Sequence, residues 1–135
     1  MKYFVDTSAF YALLDETDRH HLKAHLFRAE VLTLPNTKLI TSNFILAETL
    51  NLVKKRFGAK AAIGLGELLM ESQVITLVRV TESLEKKAWE IFKKYEDKGF
   101  SFTDCTSFAV MEEEQIPLAF AFDRHFLQFG LEMVP

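Results

Sequence analysis

The distribution of apolar and polar residues along the chain predicts strands that alternate with helices. The first apolar run, Lys2–Val5, is continuous rather than alternating, which is typical of a parallel strand covered by helices on both faces. Further strands are predicted at Leu39–Ile40, Val74–Val80, Leu118–Phe122 and Leu131–Val134. The order is strand, helix pair, strand, helix pair, strand, two helices, strand, short helix and strand. This order indicates an α/β fold whose parallel sheet has right-handed crossovers, and no repeat or linker divides residues 1–135.

Helices are predicted between these strands from apolar spacing and from capping residues. Their ranges are Ala9–Leu14, Arg19–Leu32, Phe44–Phe57, Ala59–Glu71, a helix opened by Thr81-Glu82-Ser83, Cys105–Glu114 and a turn at Phe126–Phe129. In the second helix we expect an inward stripe of Leu22, Leu26, Ala29 and Leu32. In the helix after Ser83 we expect Phe92 to face inward with Trp89 beside it.

The composition is that of one globular domain with a sizeable core. Of 135 residues 49% are hydrophobic, and no segment approaches the roughly 20 consecutive apolar residues of a membrane span, so we expect no membrane partner. We expect no signal peptide either, because Met1-Lys2 leads directly into a short strand that Asp6 soon ends. The single cysteine, Cys105, cannot form an intramolecular disulfide, which favours a reducing cytoplasm. Cys105 is interpreted as a small core residue rather than a nucleophile. A net charge of −3 argues against nucleic-acid binding by phosphate neutralisation alone, unless a divalent cation bridges an acidic site to phosphate.

Four carboxylates have similar positions in this predicted fold. Asp6 and Asp123 follow the carboxyl ends of two strands, Asp104 begins a helix, and Glu48 lies in the first turns of another. Parallel topology puts strand ends and the following helix starts on one side of the sheet, where ligands of open α/β sheets bind. We therefore expect the four side chains to converge on one cleft. For Glu48 alone, an ordinary boundary glutamate paired with a nearby lysine is the stronger interpretation.

Clustered carboxylates repel one another, and a hard divalent cation would offset that repulsion. Mg²⁺ or Mn²⁺ bound to oxygen ligands suits phosphodiester hydrolysis, because the cation lowers the pKa of a bound water and stabilises the developing charge. Neighbouring hydroxyl groups would orient the carboxylates, namely those of Thr7, Ser8, Ser101 and Thr103.

The sequence leaves the roles of two groups of side chains undecided. His20, His21 and His25 include an i, i+4 pair that can hold zinc, but no carboxylate or cysteine completes the set, so a solvated helix surface is favoured. Arg124 and His125 follow Asp123 directly. A contact with phosphate and a plain surface role are both compatible with their positions.

Four segments in order give the chain a family resemblance. They are FVDTSAF (Phe4–Phe10), TSNFILAETL (Thr41–Leu50), SFTDCTSFAVM (Ser101–Met111) and AFAFDRHF (Ala119–Phe126). Each is weak alone, but together they span nearly the whole chain at appropriate separations. The sequence resembles PIN-domain ribonucleases, and most closely the VapC-like toxins of type II toxin–antitoxin pairs.

The resemblance implies a PIN-like, three-layer α/β/α fold with a central parallel sheet of about five strands, formed by residues 1–135 as a single PIN domain. It implies endonucleolytic cleavage of RNA at a Mg²⁺ or Mn²⁺ site. It also implies a homodimer and a small antitoxin that blocks the acidic cleft. The family's acidic quartet matches Asp6, Glu48, Asp104 and Asp123, of which Asp6 and Asp104 are expected to contact the metal most directly and the other two partly through water.

Other functions agree less well with the residues. A phosphatase of the haloacid dehalogenase type needs a second aspartate two positions after the first, and Ser8 stands there. A PIN-domain RNA-processing nuclease that is not a toxin remains an alternative. A non-catalytic binding module on the same fold would have no use for clustered acids.

Overall fold

Twelve elements follow one another in the computed structural model, which describes every residue from Met1 to Pro135. The strands are β1 (Lys2–Val5), β2 (Lys38–Ser42), β3 (Ile75–Val78), β4 (Leu118–Phe120) and β5 (Glu132–Val134). The helices are α1 (Thr7–Leu14), α2 (His21–Leu32), α3 (Asn43–Phe57), α4 (Ala59–Glu71), α5 (Glu82–Lys94), α6 (Phe102–Glu113) and α7 (His125–Phe129). None of these helices combines the length and the apolar character that a bilayer crossing would require.

The strands form one parallel sheet in the order β3-β2-β1-β4-β5. The strand that begins the chain is therefore the central one, which explains its uninterrupted apolar sequence. Tyr3 of β1 packs on Phe27 of α2, whereas Phe4 contacts Phe126 of α7, as expected when successive side chains point to opposite faces. The right-handed crossover rule puts α1–α4 on one face of the sheet and α5–α7 on the other. The predicted three-layer PIN-like α/β/α fold is confirmed.

Local capping groups set several boundaries that the sequence placed differently. Asp6 itself caps α1, so this helix begins at Thr7 rather than at Ala9. Ser101 caps α6 and extends it back to Phe102, three residues before its predicted start at Cys105. Strand β4 ends at Phe120 instead of Phe122, which leaves a short irregular segment before Asp123.

The expected inward stripe of α2 is wrong. Leu22 and Leu26 are 69% and 62% exposed, and the buried positions of the helix are Ala24 and Val31. Helix α2 is rotated about its axis relative to the prediction because it forms hydrogen bonds to the last turn of α1, whose carbonyls have no partner within their own helix. His21 donates from Nδ1 to the Ala12 carbonyl at 2.7 Å and His25 from Nε2 to the Leu13 carbonyl at 3.0 Å.

The same contacts correct the interpretation of these histidines as a solvated surface. His21 and His25 are half-buried, and each directs a ring nitrogen at the main chain of α1. Their rings meet edge to face at 4.4 Å. The two side chains join α1 to α2.

On α5 the predicted inward face is only partly correct. Leu84 and Ala88 are buried, but Trp89 and Phe92 are 50% and 37% exposed and stack on each other with ring centroids 5.7 Å apart. The helix thus carries an apolar patch at the surface, at the edge of the contact between α5 and α6.

Candidate functional site

Asp6 lies where the central strand turns into the first helix. Its backbone N–H donates to the Phe120 carbonyl of β4 at 3.1 Å, and its buried side chain caps α1. The Oδ2 atom accepts two hydrogen bonds from Ser8, one from the backbone N–H at 3.0 Å and one from the hydroxyl at 2.6 Å. The cap uses Oδ2 alone, so Oδ1 remains free for a ligand.

Burial raises the pKa of the Asp6 carboxyl from 3.8 to about 6. The hydrogen bonds from Ser8 act in the opposite direction, and the negative charges of Glu48 and Asp123 raise the pKa further. The three carboxylates are therefore close enough to interact. Without a compensating positive charge, the folded protein holds Asp6 in its ionised form at a cost.

A cleft of about 490 Å³ opens in front of Asp6. Glu48, on the exposed side of α3, and Asp123, after β4, line it together with Asp6. The predicted position of Glu48 at the mouth of a cleft thus agrees with the structure, and no ion pair joins it to a neighbouring lysine.

Asp104 joins this group through a histidine. It is buried at the third position of α6 and forms a capping box with Ser101, whose N–H donates to Asp104 Oδ2 at 2.9 Å. The same oxygen accepts from His125 Nδ1 at 2.8 Å. Asp123 Oδ1 accepts from the backbone N–H of His125 at 3.0 Å, and ligand atoms of Asp104, Asp123 and His125 all lie within 4.8 Å of one another.

The hydroxyl residues divide into two pairs. Ser8 donates to Asp6 from its hydroxyl, whereas Ser101 donates to Asp104 from its backbone N–H, and its hydroxyl accepts from the Asp104 N–H at 3.0 Å. Thr7 instead accepts from the buried hydroxyl of Thr49 at 3.0 Å. Thr103 lies beside Glu48 in an adjacent hollow, and its carbonyl accepts from the hydroxyl of Thr106 at 2.6 Å. Neither Thr7 nor Thr103 contacts an acidic group through its side chain.

The donor set fits a hard divalent cation. In each of the three aspartates the protein holds one carboxylate oxygen, Oδ2 in Asp6 and Asp104 and Oδ1 in Asp123, and leaves the other without a protein hydrogen bond. Glu48 has both oxygens free. Carboxylate oxygens that are fixed on one side and open on the other are the ligands that Mg²⁺ and Mn²⁺ prefer. Cys105 is no competing ligand, since burial raises the pKa of its thiol to about 11.

The sequence missed several residues of the cleft. Tyr11, Asp18, Arg19 and His20 lie at the end of α1 and in the loop that follows, and Phe122 faces them. The ring of His20 stacks on that of Phe122 with centroids 4.4 Å apart and planes 8° from parallel. This contact spans about a hundred residues of sequence, and periodicity within one helix carries no signal for it. For His125, the position two residues after Asp123 was the only available signal.

Comparison with known proteins agrees with this architecture. The model of the PIN domain family matches residues 3–131. The 23S rRNA-specific endonuclease VapC20 of Mycobacterium tuberculosis is 37% identical over 127 residues, which are 94% of this chain and 93% of that protein. A VapC ribonuclease of Archaeoglobus fulgidus is 32% identical over 120 residues, 87% of this chain and 75% of that protein.

Solved structures give the same result. The crystal structure of VapC20, described as a sarcin–ricin loop cleaving toxin, superimposes with a TM-score of 0.89 at 36% identity, covering 98% of this chain and 99% of that chain. The toxin–antitoxin complex VapBC2 of Rickettsia felis, bound to a promoter DNA fragment, matches with a TM-score of 0.74 at 13% identity and covers 98% and 97%. At that identity the second match shows the fold alone.

Asp6→Asn is expected to raise the melting temperature of the metal-free protein at neutral pH. The folded state binds the Asp6 proton more tightly than the unfolded chain does. Proton binding by Asp6 therefore stabilises the folded protein fully below the unfolded pKa of 3.8, and this stabilisation is lost as the pH rises through about 6. The resulting cost at neutral pH is about 3 kcal/mol at most. Asparagine stays neutral and still caps the helix.

Thermal unfolding in EDTA measures this difference at about pH 4 and at about pH 7.5, on either side of the shift. The gain should be absent at the lower pH and present at the higher one. Asp97→Asn, at an exposed position, is the matched control and should change little at either pH. A clear fall in the melting temperature of Asp6→Asn at the higher pH would contradict the repulsion argument.

Proposed function

We propose, because this chain belongs to the PIN-domain family, that it is a metal-dependent endoribonuclease of the VapC type and the toxin of a toxin–antitoxin pair. The reaction is hydrolysis of an RNA phosphodiester bond at the site formed by Asp6, Glu48, Asp104 and Asp123. The observation that carries the proposal is the convergence of these carboxylates at the carboxyl ends of β1 and β4, with one oxygen of each aspartate fixed and the other open.

The cofactor is proposed to be Mg²⁺ or Mn²⁺. Asp6 and Asp104 would contact it most directly through their free oxygens, and Glu48 and Asp123 partly through water. When bound, such a cation lowers the pKa of a water ligand and offsets charge that develops on the phosphate. It would also offset the burial and, to a smaller extent, the repulsion that raise the pKa of Asp6.

The remaining residues of the site hold these carboxylates in place. Ser8 fixes Asp6, and its hydroxyl also accepts from the N–H of Phe122 at 2.9 Å, which positions the segment that carries Asp123. His125 donates to Asp104 and packs against Phe100, so its ring orientation is set from two sides. Donors of this kind orient a carboxylate that binds a metal.

We propose ribosomal RNA as the first substrate to test. VapC20 is a 23S rRNA-specific endonuclease that cleaves the sarcin–ricin loop, and it is similar to this protein along nearly the whole chain. Identity near one third leaves room for a change of target, so a hairpin with the sarcin–ricin sequence and total ribosomal RNA belong in the same assay.

An antitoxin partner is supported by an apolar groove on the α1–α4 face. Its volume is about 320 Å³, and twelve of its fourteen lining residues are hydrophobic. Leu14, Leu32 and Leu68 are exposed at its rim. An amphipathic helix that lays its apolar side into a groove is a common form of recognition. We propose that the antitoxin binds here and also blocks the acidic cleft, since α1 lines both the groove and the cleft. We further propose that the pair works in the cytoplasm, where the unpaired Cys105 stays reduced.

The homodimer is proposed to form through the aromatic patch on α5. Trp89 and Phe92 stack on each other at the solvent-exposed surface, and Phe102 of α6 contacts both rings edge to face. A tryptophan that is half exposed in such a cluster is unusual unless a partner covers it.

Purified protein is expected to cut RNA into discrete fragments in the presence of Mg²⁺ or Mn²⁺. EDTA should abolish cleavage, and Asp104→Asn should do the same because it removes a charged ligand while keeping the side chain's shape. Gel analysis of end-labelled RNA gives the cleavage positions.

Cleavage that persists in EDTA would exclude a metal-dependent reaction. If Asp104→Asn produces the same fragments in the same amount, a contaminating nuclease is responsible for the cleavage. Absence of both cleavage and metal binding would favour a non-catalytic binding module, whereas cleavage without toxicity in cells would favour an RNA-processing nuclease.

His125→Ala is expected to lower cleavage by about 10–100-fold, the range found when a residue that orients a metal ligand is removed. The loss arises because Asp104 Oδ2 keeps its hydrogen bond from the Ser101 N–H but loses its second donor, the His125 ring. The metal concentration for half-maximal activity should rise as well. His125→Gln, which retains a donor, should recover part of the activity, and an unchanged metal dependence in His125→Ala would contradict the assignment.

Trp89→Lys is expected to convert a dimer to a monomer, because it places a charge in the aromatic patch. Light scattering during gel filtration measures the mass of both proteins. Leu22→Lys, at a more exposed apolar residue on α2, is the control and should leave the mass unchanged. A wild-type protein that is monomeric, or a dimer that survives Trp89→Lys, would show that this patch is not the interface.

A further inference from the structure

The loop between α1 and α2 is held firmly against the acidic cleft. Asp15, at the end of α1, is buried and accepts from the hydroxyl of Tyr11 at 2.7 Å and from both the N–H and the hydroxyl of Thr17, at 2.9 and 2.7 Å. Asp18 then accepts from the N–H of His20 at 2.8 Å. A loop of six residues with this many internal bonds has a defined shape rather than a mobile one.

Arg19 stands at the part of this loop that lines the cleft. Eleven residues form the lining, and Arg19 is the one lysine or arginine among them. Although four of the other lining residues are acidic, Arg19 forms no ion pair with any of them. Its Nε–H donates to His20 Nε2 at 3.1 Å, which leaves the two terminal amino groups of the guanidinium without a protein partner.

His20 fixes the direction of that arginine. Its ring is stacked on Phe122, whose backbone N–H donates to Ser8, and Ser8 in turn holds Asp6. The accepting nitrogen of His20 is thereby located relative to the carboxylates by a chain of direct contacts. Arg19 is thus attached to the same framework that positions the acidic groups.

Helix stability gives no reason for a cation at this position. Arg19 lies just before the N-terminus of α2, whose first turn begins at His21, and a positive charge near a helix N-terminus is unfavourable. Arg19 has an unfavourable position for helix stability, no ion pair and two free donor groups. Binding of an anionic ligand explains an arginine at this position better than helix stability does.

We propose that Arg19 binds a phosphate group of the RNA next to the bond that is cut, and that His20 is its positioning residue. The inference rests on the proposed nuclease function and adds to it the residue that contacts the substrate backbone. An RNA strand entering a cleft of carboxylates meets repulsion that one divalent cation offsets only in part. A guanidinium whose two terminal amino groups are free matches the geometry of a phosphate, which a lysine does not.

The test compares Arg19→Gln, Arg19→Lys and His20→Ala with the parent protein. Arg28→Gln is the matched control, since Arg28 is also exposed and lies on α2 away from the acidic cleft. Fluorescence anisotropy with the labelled sarcin–ricin hairpin measures binding over a range of salt concentrations, with Asp104→Asn present in every protein to prevent cleavage. Steady-state cleavage without Asp104→Asn gives KM and kcat.

Arg19→Gln should weaken binding about tenfold and raise KM in proportion, with a smaller change in kcat, as loss of a charge-assisted contact predicts. The slope of log K against log salt should fall by about 0.7, the value for one phosphate contact on a single strand. Arg19→Lys should keep the slope and recover part of the affinity. His20→Ala should raise KM with the same kcat, and Arg28→Gln should match the parent protein.

The outcomes separate the two proposals. Cleavage by Arg19→Gln with the parent's KM and salt slope would overturn the role of Arg19 while the nuclease function stands. A loss confined to kcat, with binding unchanged, would also overturn it. Failure of the parent protein to bind or cut RNA in the presence of metal would overturn the proposed function and this inference together.

Discussion

The hydroxyl of Ser8 makes the contact on which the whole site depends. It donates to Asp6 at 2.6 Å and accepts from the N–H of Phe122 at 2.9 Å, so one atom joins the end of β1 to the segment after β4. These strands are neighbours in the centre of the sheet, but β4 ends at Phe120, and the chain leaves the sheet after the Ala121 N–H has donated to the Val134 carbonyl of β5. Through Ser8, the segment that carries Asp123 is tied to Asp6, the carboxylate that caps the first helix.

This arrangement concentrates negative charge where burial makes it most costly. Asp6 is nearly inaccessible, Asp104 is buried in a capping box, and both lie at helix N-termini, whose partial positive charge favours a carboxylate. The helix starts and the serine donors offset part of the cost of burial and repulsion but not all of it, since the pKa of Asp6 stays raised to about 6. The site is therefore pre-organised for a cation at the expense of the stability of the cation-free protein, a trade-off common at functional sites.

Much of the fold and of the acidic site could be predicted from the sequence, because each rests on a local rule. Continuous apolar runs identify buried parallel strands, and the carboxyl ends of such strands are where Asp6 and Asp123 follow. The predicted stripe of α2 failed because hydrogen bonds from His21 and His25 to the end of α1 decide its rotation, and helical periodicity does not contain that information. The contacts of His125 with Asp104 and of His20 with Phe122 likewise join separate elements, which only the folded chain brings together.

The overall charge of the protein and the charge at its cleft have different consequences for RNA binding. A net charge of −3 excludes broad electrostatic attraction to a polyanion, so affinity has to come from a few placed groups. The carboxylates, carried on the ends of strands and the starts of helices, are fixed by buried hydrogen bonds and suit a small cation of defined geometry. Arg19 is carried on a short loop with its Nε fixed and its terminal amino groups free, which suits a phosphate whose position varies with the bound strand. Fixed carboxylates that bind the metal and one arginine that binds the RNA backbone would let an acidic protein bind RNA at its cleft without binding it elsewhere.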